Sequence, residues 1–471
     1  MSVRHILVKN SLALLVAVGL LAGCKKDSPT PPDPIVVPPV STTPTPPQYG
    51  TPFAGVPNRE DAVIYQVNMR AFSAGGNFAG VTARLDSIKN LGTNVVYLMP
   101  IFPVGQLRGV NSPYAVQDYR AVNADFGTLT DLRMLVDAAH QRGLSVLLDW
   151  VANHTAWDHA WIAAHPDWYL QNTSGTIQSP PGTNYTDVAQ LNFNSAPMRA
   201  ELISAMKSWV FTANVDGFRC DYTDAPTIIA TDFWKQAVDT LRSVKTHKLL
   251  LLAEGSRSSN FTSGFDYIFG FNFYGGIYNV YRNGASATTF DALNASECAG
   301  ATGTQQVVRY ITNHDVNGSD GTPVGLFGGN AGAMSAFVVA SCYKGVPMVY
   351  NGQEAGMTTT IPFPFTSVKV RWGAHPDVTR AYQQLLTARA ASPALRAGTT
   401  TSYSSSNVCA FTKTAGPAQA CVLVNVRNTA ITYAVPAALA GTTWTNALTG
   451  TAVSVGTSVA LPAYGYLVLK K

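Results

Sequence analysis

Short apolar runs alternate with segments of helical periodicity from residue 60 onward, and this alternation constrains the fold more than any other feature. The run "NVVYLMP" precedes the segment "DLRMLVDAAHQRGL", which in turn precedes the almost wholly apolar run "SVLLDWV". Nearly continuous apolar strands are typical of parallel sheets, because both faces of such sheets are buried. The eight candidate strands, in chain order, are AVIYQVN, NVVYLMP, SVLLDWV, VDGFRCD, KLLLLAE, FDYIFGF, VVRYIT and VPMVYN. Eight strand–helix units predict an α/β fold, a (β/α)8 TIM barrel, over residues 56–392.

Two regions depart from this alternation. Residues 155–192 contain the Gly-, Pro-, Ser- and Thr-rich stretch "SGTIQSPPGTNYTD", which predicts a small insertion domain after the third strand. After residue 392 short alternating runs replace the helical pattern and predict a C-terminal antiparallel β-sandwich over residues 393–471. There Cys409 and Cys421 flank a predicted hairpin with a Gly-Pro turn, and either a cross-strand disulfide or two packed thiols fits the pattern.

Residues 1–24 have the pattern of an export signal, with the basic start "MSVRHILVKN" and the apolar run "SLALLVAVGLL". The following "LAGC" resembles the cleavage site of bacterial lipoproteins, which implies a lipidated Cys24; an ordinary signal peptide with an incidental cysteine is the alternative. The Pro-rich residues 25–55 predict an extended linker that rises about 3.1 Å per residue. We therefore expect an outer membrane lipoprotein. The lipid would anchor it to the membrane, and the protein would face either the periplasm or the cell surface.

The charge pattern gives no support to nucleic-acid binding. Only 13% of the residues are charged, and the net charge is +5 over 471 residues. No basic run with interleaved aromatic residues occurs in the sequence. We expect no nucleic-acid partner.

The stretch "NVDGFRCDYTD" places Arg219 two residues before Asp221 in a predicted strand. Side chains at positions i and i+2 of a strand share a face, so the guanidinium and the carboxylate should be neighbours. One interpretation is a structural ion pair. The other is an arginine that keeps a functional aspartate ionised and oriented.

Polar residues also follow other predicted strands at the C-terminal ends, where barrels of this kind carry their active sites. They are Asp149, Asn153 and His154 in "DWVANH", Glu254 in "LLLLAEGS", and Asn313, His314 and Asp315 in "ITNHD". Two carboxylates at one barrel mouth match the chemistry of glycosidic bond cleavage, in which one attacks and the other donates a proton. Because Glu254 follows a run of apolar residues, we expect burial to raise its pKa, whereas Arg219 should keep Asp221 charged.

Together, "DWVANH", "GFRCD", "LLAEG" and "TNHD" resemble the four ordered motifs of the alpha-amylase family of glycoside hydrolases, family 13. The runs "SPYAVQDYRAVNADFGT", "DVAQLN" and "YNGQE" are also similar to that family, so the resemblance extends from about residue 60 to the C-terminus. It implies a retaining hydrolase of alpha-glucosidic bonds. The roles it implies are nucleophile for Asp221, acid/base for Glu254, sugar-hydroxyl contact for Asp315, and substrate binding for Tyr114, His154, Arg219 and His314.

The resemblance leaves two features open. It suggests a calcium ion with Asn153 as a ligand, although Asp224 and Ala225 depart from the polar pair common in the family, and Asn153 could instead cap a loop. The aromatic runs "FDYIFGFNFYGGIYNVY" and "AWDHAW" fit either core packing or stacking on sugar rings.

We therefore predict an enzyme that acts on alpha-glucan oligosaccharides or polysaccharides, mainly at alpha-1,4 bonds of starch or maltodextrins. An alpha-glucosidase or a transglycosylase shares the same motifs. A catalytically inactive carbohydrate-binding lipoprotein is the alternative from another class, but the presence of all three acids, Asp221, Glu254 and Asp315, argues against it.

Overall fold

The predicted strands form a closed parallel barrel. The structure is a computed structural model that describes residues 43–471, so the predicted signal peptide, Cys24 and most of the predicted linker lie outside the described residues. Up to the end of the barrel the strands are β1 (Ile64–Val67), β2 (Val95–Leu98), β3 (Ser145–Trp150), β4 (His154–Ala156), β5 (Val188–Gln190), β6 (Gly217–Cys220), β7 (Leu250–Ala253), β8 (Tyr267–Phe269), β9 (Gln306–Arg309) and β10 (Val346–Tyr350).

Eight of these strands close the barrel in the order β1-β2-β3-β6-β7-β8-β9-β10, and β10 pairs back onto β1. All neighbours are parallel; Ile64 of β1, for example, pairs with Val95 on one side and Met348 on the other. Residues of β1, β2, β3, β6 and β7 are buried without exception, which explains why these strands are mostly apolar in the sequence; Gln66, Asp149 and Arg219 are buried polar exceptions. The predicted (β/α)8 barrel is confirmed.

The helices surround the barrel and connect its strands. They are α1 (Met69–Phe72), α2 (Phe78–Thr82), α3 (Leu85–Asn90), α4 (Leu129–Gln141), α5 (Ala160–Ala164), α6 (Ala196–Thr212), α7 (Pro226–Ile229), α8 (Phe233–Arg242), α9 (Ser259–Thr262), α10 (Phe271–Arg282), α11 (Thr289–Cys298), α12 (His314–Ser319), α13 (Pro323–Leu326), α14 (Gly329–Cys342), α15 (Pro376–Ala391) and α16 (Pro393–Ala397), with 3-10 turns at Arg59–Asp61 and Pro166–Trp168.

The sequence "VTARLDSIKNLG", residues 81–92, has the periodicity of one helix that ends at Gly92, but this prediction is wrong in one respect, because two short helices, α2 and α3, occupy the stretch. The break falls at Arg84, whose φ of −115° and ψ of 8° are not helical. Its guanidinium lies 4.1 Å from the centre of the Trp372 ring, so a tertiary contact accompanies the break.

The insertion after β3 begins with the antiparallel pair β4 and β5. His154 pairs with Gln190 in this two-stranded sheet. Between them lie helix α5, a 3-10 turn and a long irregular segment. The hairpin therefore fixes both ends of the insertion at the mouth of the barrel.

The C-terminal region contains β11 (Thr399–Ser402), β12 (Val408–Ala415), β13 (Ala418–Asn425), β14 (Ile431–Ala434), β15 (Thr442–Asn446), β16 (Ala452–Val455), β17 (Ser458–Leu461) and β18 (Tyr466–Lys470). Six strands form an antiparallel sheet in the order β11-β12-β13-β18-β15-β16, and β14 pairs with β17. Side chains from both sheets share one buried cluster, which includes Val408, Leu423, Tyr433 and Leu461. The predicted antiparallel C-terminal region is confirmed.

The hairpin around Gly416 and Pro417 joins β12 to β13, as predicted. Cys409 pairs with Val424 and Cys421 pairs with Thr412, an odd offset that places the two thiols on opposite faces of the sheet. Both thiols are buried and free, so the hairpin carries packed thiols rather than a disulfide.

The end of the Pro-rich segment contacts the barrel. The Tyr49 hydroxyl donates to Asp137 at 2.6 Å, and its ring lies under the Arg133 guanidinium. The Tyr49 backbone N–H donates to the Phe211 carbonyl at 2.8 Å. None of the helices within residues 43–471 has the length and apolar character needed to cross a membrane.

Candidate active site

A cleft of about 630 Å³ opens at the C-terminal ends of the barrel strands. It is lined by six of the predicted site residues, namely Tyr114, His154, Asp221, Glu254, His314 and Asp315. Arg219 lies beneath them and has no exposed surface. Asn153, the candidate metal ligand, is not part of the cleft lining and is 1% exposed.

Arg219 contacts three carboxylates at once. Its Nη1 donates to Asp149 Oδ1 at 2.6 Å and to Asp221 Oδ1 at 2.9 Å, and its Nη2 lies 2.5 Å from Glu254 Oε1. The contact predicted from the i, i+2 spacing is present, but it is one of three. Burial lowers the pKa of Arg219, but the neighbouring carboxylates, Asp149 foremost, raise it further, so the net pKa lies above its usual value and the side chain stays charged.

The electrostatic setting of Asp221 differs from the one predicted. Burial raises the pKa of this carboxyl group above its usual range, and the nearby Glu254 raises it further. Arg219 lowers the pKa of Asp221 and so opposes both effects. The expectation that Arg219 simply holds Asp221 ionised therefore needs correction, because the arginine acts against a larger desolvation effect that the local sequence could not reveal.

Glu254 was expected to have apolar surroundings, but its immediate contacts are polar. Besides Arg219, it accepts a hydrogen bond at Oε2 from the backbone N–H of Tyr222 at 2.8 Å. Tyr222 has a φ of +45°, an uncommon value for a residue other than glycine. The turn that follows Asp221 thus directs a backbone donor at Glu254 and orients its carboxyl group toward the cleft.

A chain of hydrogen bonds orders the ring of His314. Gln66 Nε2 donates to His314 Nδ1 at 2.8 Å, so the ring proton sits on Nε2, which lies 2.7 Å from the Tyr114 hydroxyl. Tyr114 in turn donates to Asp149 Oδ2 at 3.1 Å. Burial and the charge of Arg219 lower the pKa of His314 to about 3, so the imidazole is neutral at ordinary pH.

His154 and Asp315 complete the predicted set at the cleft. Burial lowers the pKa of His154 to about 4, so this ring is also neutral, and its Nδ1 lies 3.2 Å from Asn153 Nδ2. Asp315 lies in the first turn of α12, where Asn313 caps the helix by accepting from the Asp315 backbone N–H. Its side chain is 59% exposed, so it is accessible to a ligand.

Three further residues belong to the site but were given no role from the sequence. Asp149 accepts from the Tyr97 hydroxyl at 2.6 Å as well as from Tyr114 and Arg219, and burial raises its pKa to about 6. Gln66 and Tyr97 lie in β1 and β2. Their position near the C-terminal ends of barrel strands is the signal that could have identified them.

The aromatic residues of the cleft come mostly from other segments than those noted in the sequence. Of the two aromatic runs, only Phe271 lines the cleft, where it is 37% exposed. Most of the other rings in those runs pack in the core. Four further aromatic residues line the cleft, and they belong neither to these two runs nor to the predicted site residues: Tyr185, Tyr222, Phe363 and Phe365.

The surroundings of Asn153 do not suit a calcium ion. Asn153 Oδ1 accepts from Gln190 Nε2 at 3.1 Å and from the Thr227 hydroxyl at 3.3 Å. Calcium requires six to eight oxygen ligands, typically including carboxylates. Within residues 43–471 no group of three or more His, Cys, Asp or Glu side chains is arranged to hold a metal ion. The residues present at Asn153 therefore do not fit the ion that the resemblance suggested.

A (β/α)8 barrel with two carboxylates facing one cleft at its C-terminal mouth defines the class of barrel glycosidases. The chain belongs to the alpha-amylase family: the family profile described as "Alpha amylase, catalytic domain" matches residues 49–412.

Individual relatives agree with this assignment. The chain is 28% identical to "Alpha-amylase MalA" of Haloarcula japonica over 313 residues, covering 63% of this chain and 44% of that protein. It is 26% identical to "Alpha-amylase 3" of Dictyoglomus thermophilum over 350 residues, covering 66% of this chain and 68% of that protein. The chain thus spans less than half the length of the first of these relatives. Other relatives are named oligo-1,6-glucosidase and alpha-1,4-glucan:maltose-1-phosphate maltosyltransferase.

Among solved structures, an alpha-amylase from Lactobacillus plantarum superimposes with a TM-score of 0.77 at 28% identity, covering 88% of this chain and 99% of that chain. The match extends through nearly the whole of that protein, so the barrel and the C-terminal strands are common to both.

Proposed function

We propose that this protein is a retaining glycoside hydrolase that cleaves alpha-glucosidic bonds, mainly alpha-1,4, of starch, maltodextrins or related alpha-glucans. The observation that carries the proposal is the placement of Asp221 and Glu254 in one cleft, both in contact with the same guanidinium group of Arg219. Carboxylates about 5–5.5 Å apart support retention, whereas inverting enzymes separate them by about 6.5–9.5 Å to admit water. The shared guanidinium brings the two carboxyl groups into the same part of the cleft, and the anomeric form of the first product tests which separation applies.

In the proposed reaction Asp221 attacks the anomeric carbon while Glu254 protonates the departing glycosidic oxygen. A covalent glycosyl-enzyme forms, and Glu254 then removes a proton from the water that hydrolyses it. Asp315 contacts sugar hydroxyls, and the neutral rings of His154 and His314 line the same subsite. Tyr114 offers a ring face to it, although its hydroxyl is already committed to His314 and Asp149.

The charge of the cleft supports a neutral substrate. Among residues 43–471, five carboxylates line it, and no lysine or arginine does. They are those of Asp187, Asp221, Asp224, Glu254 and Asp315. Arg219 is already engaged by three carboxylates, so it is not free to bind an anionic group on a substrate.

Maltoheptaose provides the test. Proton NMR of the first product should show the alpha anomer, and an initial beta anomer would contradict the proposal. Asp221→Asn should abolish turnover, whereas Asp239→Asn, the same change at a 62% exposed side chain on α8, should not. If the wild type binds maltoheptaose but forms no product, and Asp221→Asn therefore causes no loss of turnover, the chain is a binding protein and the proposal fails.

The same digestion separates the alternatives within the family. Short products with internal cleavage indicate an amylase, stepwise release of glucose indicates an alpha-glucosidase, and products longer than maltoheptaose indicate transglycosylation. Release of glucose and transglycosylation are included as outcomes because relatives of the chain are named oligo-1,6-glucosidase and maltosyltransferase.

We also propose that Cys24 carries lipid and anchors the protein in the outer membrane. The proposal is supported by "LLAGC" and the Pro-rich segment that follows it. Cys24→Ser should move the protein from the membrane fraction to the soluble fraction. Retention in the membrane after a high-salt wash would show that another segment holds it.

A further inference from the structure

Gln190, at the end of β5, has an amide nitrogen surrounded by four oxygen atoms. Its Nε2 lies 2.9 Å from the Asn153 carbonyl, 3.1 Å from Asn153 Oδ1, 2.9 Å from the Leu191 carbonyl and 3.2 Å from Thr227 Oγ1. Gln190 and Asn153 are each 1% exposed, so solvent does not complete this arrangement. The amide group has only two N–H hydrogens, so these two donors are shared among four acceptor oxygens.

These oxygens come from three separate segments. Asn153 follows β3 and precedes His154 of the cleft, Leu191 lies at the end of the insertion, and Thr227 lies in α7 shortly after Asp221. The amide thus ties the insertion to two loops that carry active-site residues. A shell of convergent backbone and side-chain oxygens from distant segments is also the kind of setting that holds a calcium ion.

A cation cannot occupy this shell together with the amide. Calcium would need to lie about 2.3–2.6 Å from the same oxygens, where Gln190 Nε2 already stands. Gln190 therefore satisfies with two N–H donors the oxygens that would otherwise require a positive charge. A carboxylate at position 190 would reverse this situation, because its oxygens would face other oxygen atoms, and the one hydroxyl among them, that of Thr227, already donates to Asn153 Oδ1.

We infer that the side-chain amide of Gln190 takes the place of a divalent cation as the link between the insertion and the barrel, so that the cleft is held together without calcium. The inference concerns how the cleft is stabilised and does not depend on the proposed reaction. Its consequence is that a single change, Gln190→Glu, converts the link into a calcium-dependent one.

The melting temperature tests this on the purified full chain in EDTA and, separately, with added CaCl2 or MgCl2. The wild type should melt at the same temperature in all three. Gln190→Glu should melt several degrees lower in EDTA and regain the loss with Ca²⁺ but less with Mg²⁺, which prefers a smaller octahedral shell. Gln190→Leu should melt lower in every condition, because it has neither donors nor a charge to attract an ion.

Gln171→Glu is the matched control, since it is the same change at an exposed position of the insertion, and it should not respond to Ca²⁺. A wild-type melting temperature that falls in EDTA and recovers with Ca²⁺ would overturn the inference, as would a Gln190→Leu variant as stable as the wild type.

If Gln190→Glu does not fold, Thr227→Val provides the remaining test. It removes one oxygen of the shell, and it should lower stability by the same amount with and without Ca²⁺. A Ca²⁺-dependent loss would contradict the inference. Because the readout is thermal, the result stands whether or not maltoheptaose is cleaved.

Discussion

At the scale of single residues, Arg219 is the electrostatic centre of the site. It is fully buried and contacts Asp149, Asp221 and Glu254. Each carboxylate is held near another, which is unfavourable when all are charged, and one delocalised cation offsets the repulsion. A lysine could not do the same, because its ammonium group is a single point of charge rather than a planar fork with several donors.

Removal of Arg219 should therefore change the pH dependence of the enzyme. Arg219 lowers the pKa of Asp221 against burial and Glu254, so Arg219→Ala should let that pKa rise further. A nearby opposite charge typically shifts a carboxyl pKa by about 1–3 units. In the proposed mechanism Asp221 must be ionised to attack, so activity should be lost at a higher pH as the solution is acidified, and the acidic limb of kcat/KM should move to higher pH.

The measurement is kcat/KM against pH, with active sites counted by a covalent glycosyl trap so that unfolded molecules do not contribute. Arg219→Lys should show a smaller shift in the limb than Arg219→Ala but a clear loss of kcat, because charge is kept and geometry is lost. A folded Arg219→Ala enzyme with near-normal kcat and an unmoved acidic limb would show that the arginine is purely structural.

At the scale of elements, close approach of β6 to β7 sets the position of Arg219. Gly217 begins β6 with a φ of +147°, and a Cβ placed there would lie 1.9 Å from the Leu250 carbonyl oxygen. Register then pairs Arg219 with Asp149 on one side and with Leu252 on the other. The glycine therefore permits the strand contact that brings Asp149 of β3 and the carboxylates directly after β6 and β7 around one guanidinium.

Gly217→Ala should accordingly destabilise the barrel by several kcal/mol, since the contact is with backbone that cannot rotate away. Gly275→Ala is the matched control. Gly275 lies within α10, where a Cβ meets nothing within 4 Å, so this change should be neutral or stabilise by up to about 1 kcal/mol. Chemical denaturation of both variants checks the prediction, and a Gly217→Ala protein as stable as the wild type would refute it.

The barrel strands and helices also show which structural features could be predicted from the sequence and which could not. Burial on both faces makes the barrel strands mostly apolar runs, so their number and order could be predicted, and the acids at their ends could be located. The pairing register of the strands could not be predicted from the sequence, and this register places Asp149 beside Arg219. The break of the predicted helix at Arg84 is accompanied by a contact with Trp372, which is far away in the chain, and no local pattern contains that contact.

The surroundings of Asn153 and Glu254 were missed for the same reason. The resemblance suggested a metal ligand at Asn153, but Gln190 supplies an amide from a segment that the motif does not include. The apolar run before Glu254 is buried in the barrel, whereas the carboxyl group itself extends past the strand to Arg219 and the Tyr222 N–H. In both cases partners from other segments, not adjacent residues, determine the chemistry.

At the scale of the whole molecule, the overall charge and the charge of the cleft have opposite signs. The chain has a net charge of +5, yet in the part of the chain that the structure describes five carboxylates and no lysine or arginine line the cleft. Both cleft histidines are neutral, because burial lowers their pKa values to about 4 for His154 and about 3 for His314. An anionic substrate would therefore be attracted weakly at long range and repelled at the site itself.

This arrangement predicts selection against phosphorylated glucans. Maltoheptaose with one 6-phosphate should be cleaved with a higher KM than plain maltoheptaose, and the difference should shrink as salt is added, because the Debye length falls from about 10 Å at 0.1 M to about 3 Å at 1 M. Plain maltoheptaose carries no charge, so its KM should hardly change with salt. Asp224 is the residue to alter, since its carboxylate lines the cleft and accepts from the Ser256 N–H and the Asn260 amide rather than from a cation.

Asp224→Asn should narrow the KM difference between the two sugars at low salt and leave kcat for plain maltoheptaose close to that of the wild type. Asp239→Asn changes the same charge on the outer face of α8, so it should leave the difference intact. Equal narrowing by both variants would mean that the net charge of the molecule, rather than the cleft, governs selection. A wild-type enzyme that handles the two sugars equally at low salt would refute the prediction, because local repulsion would then be too weak to compete with sugar contacts.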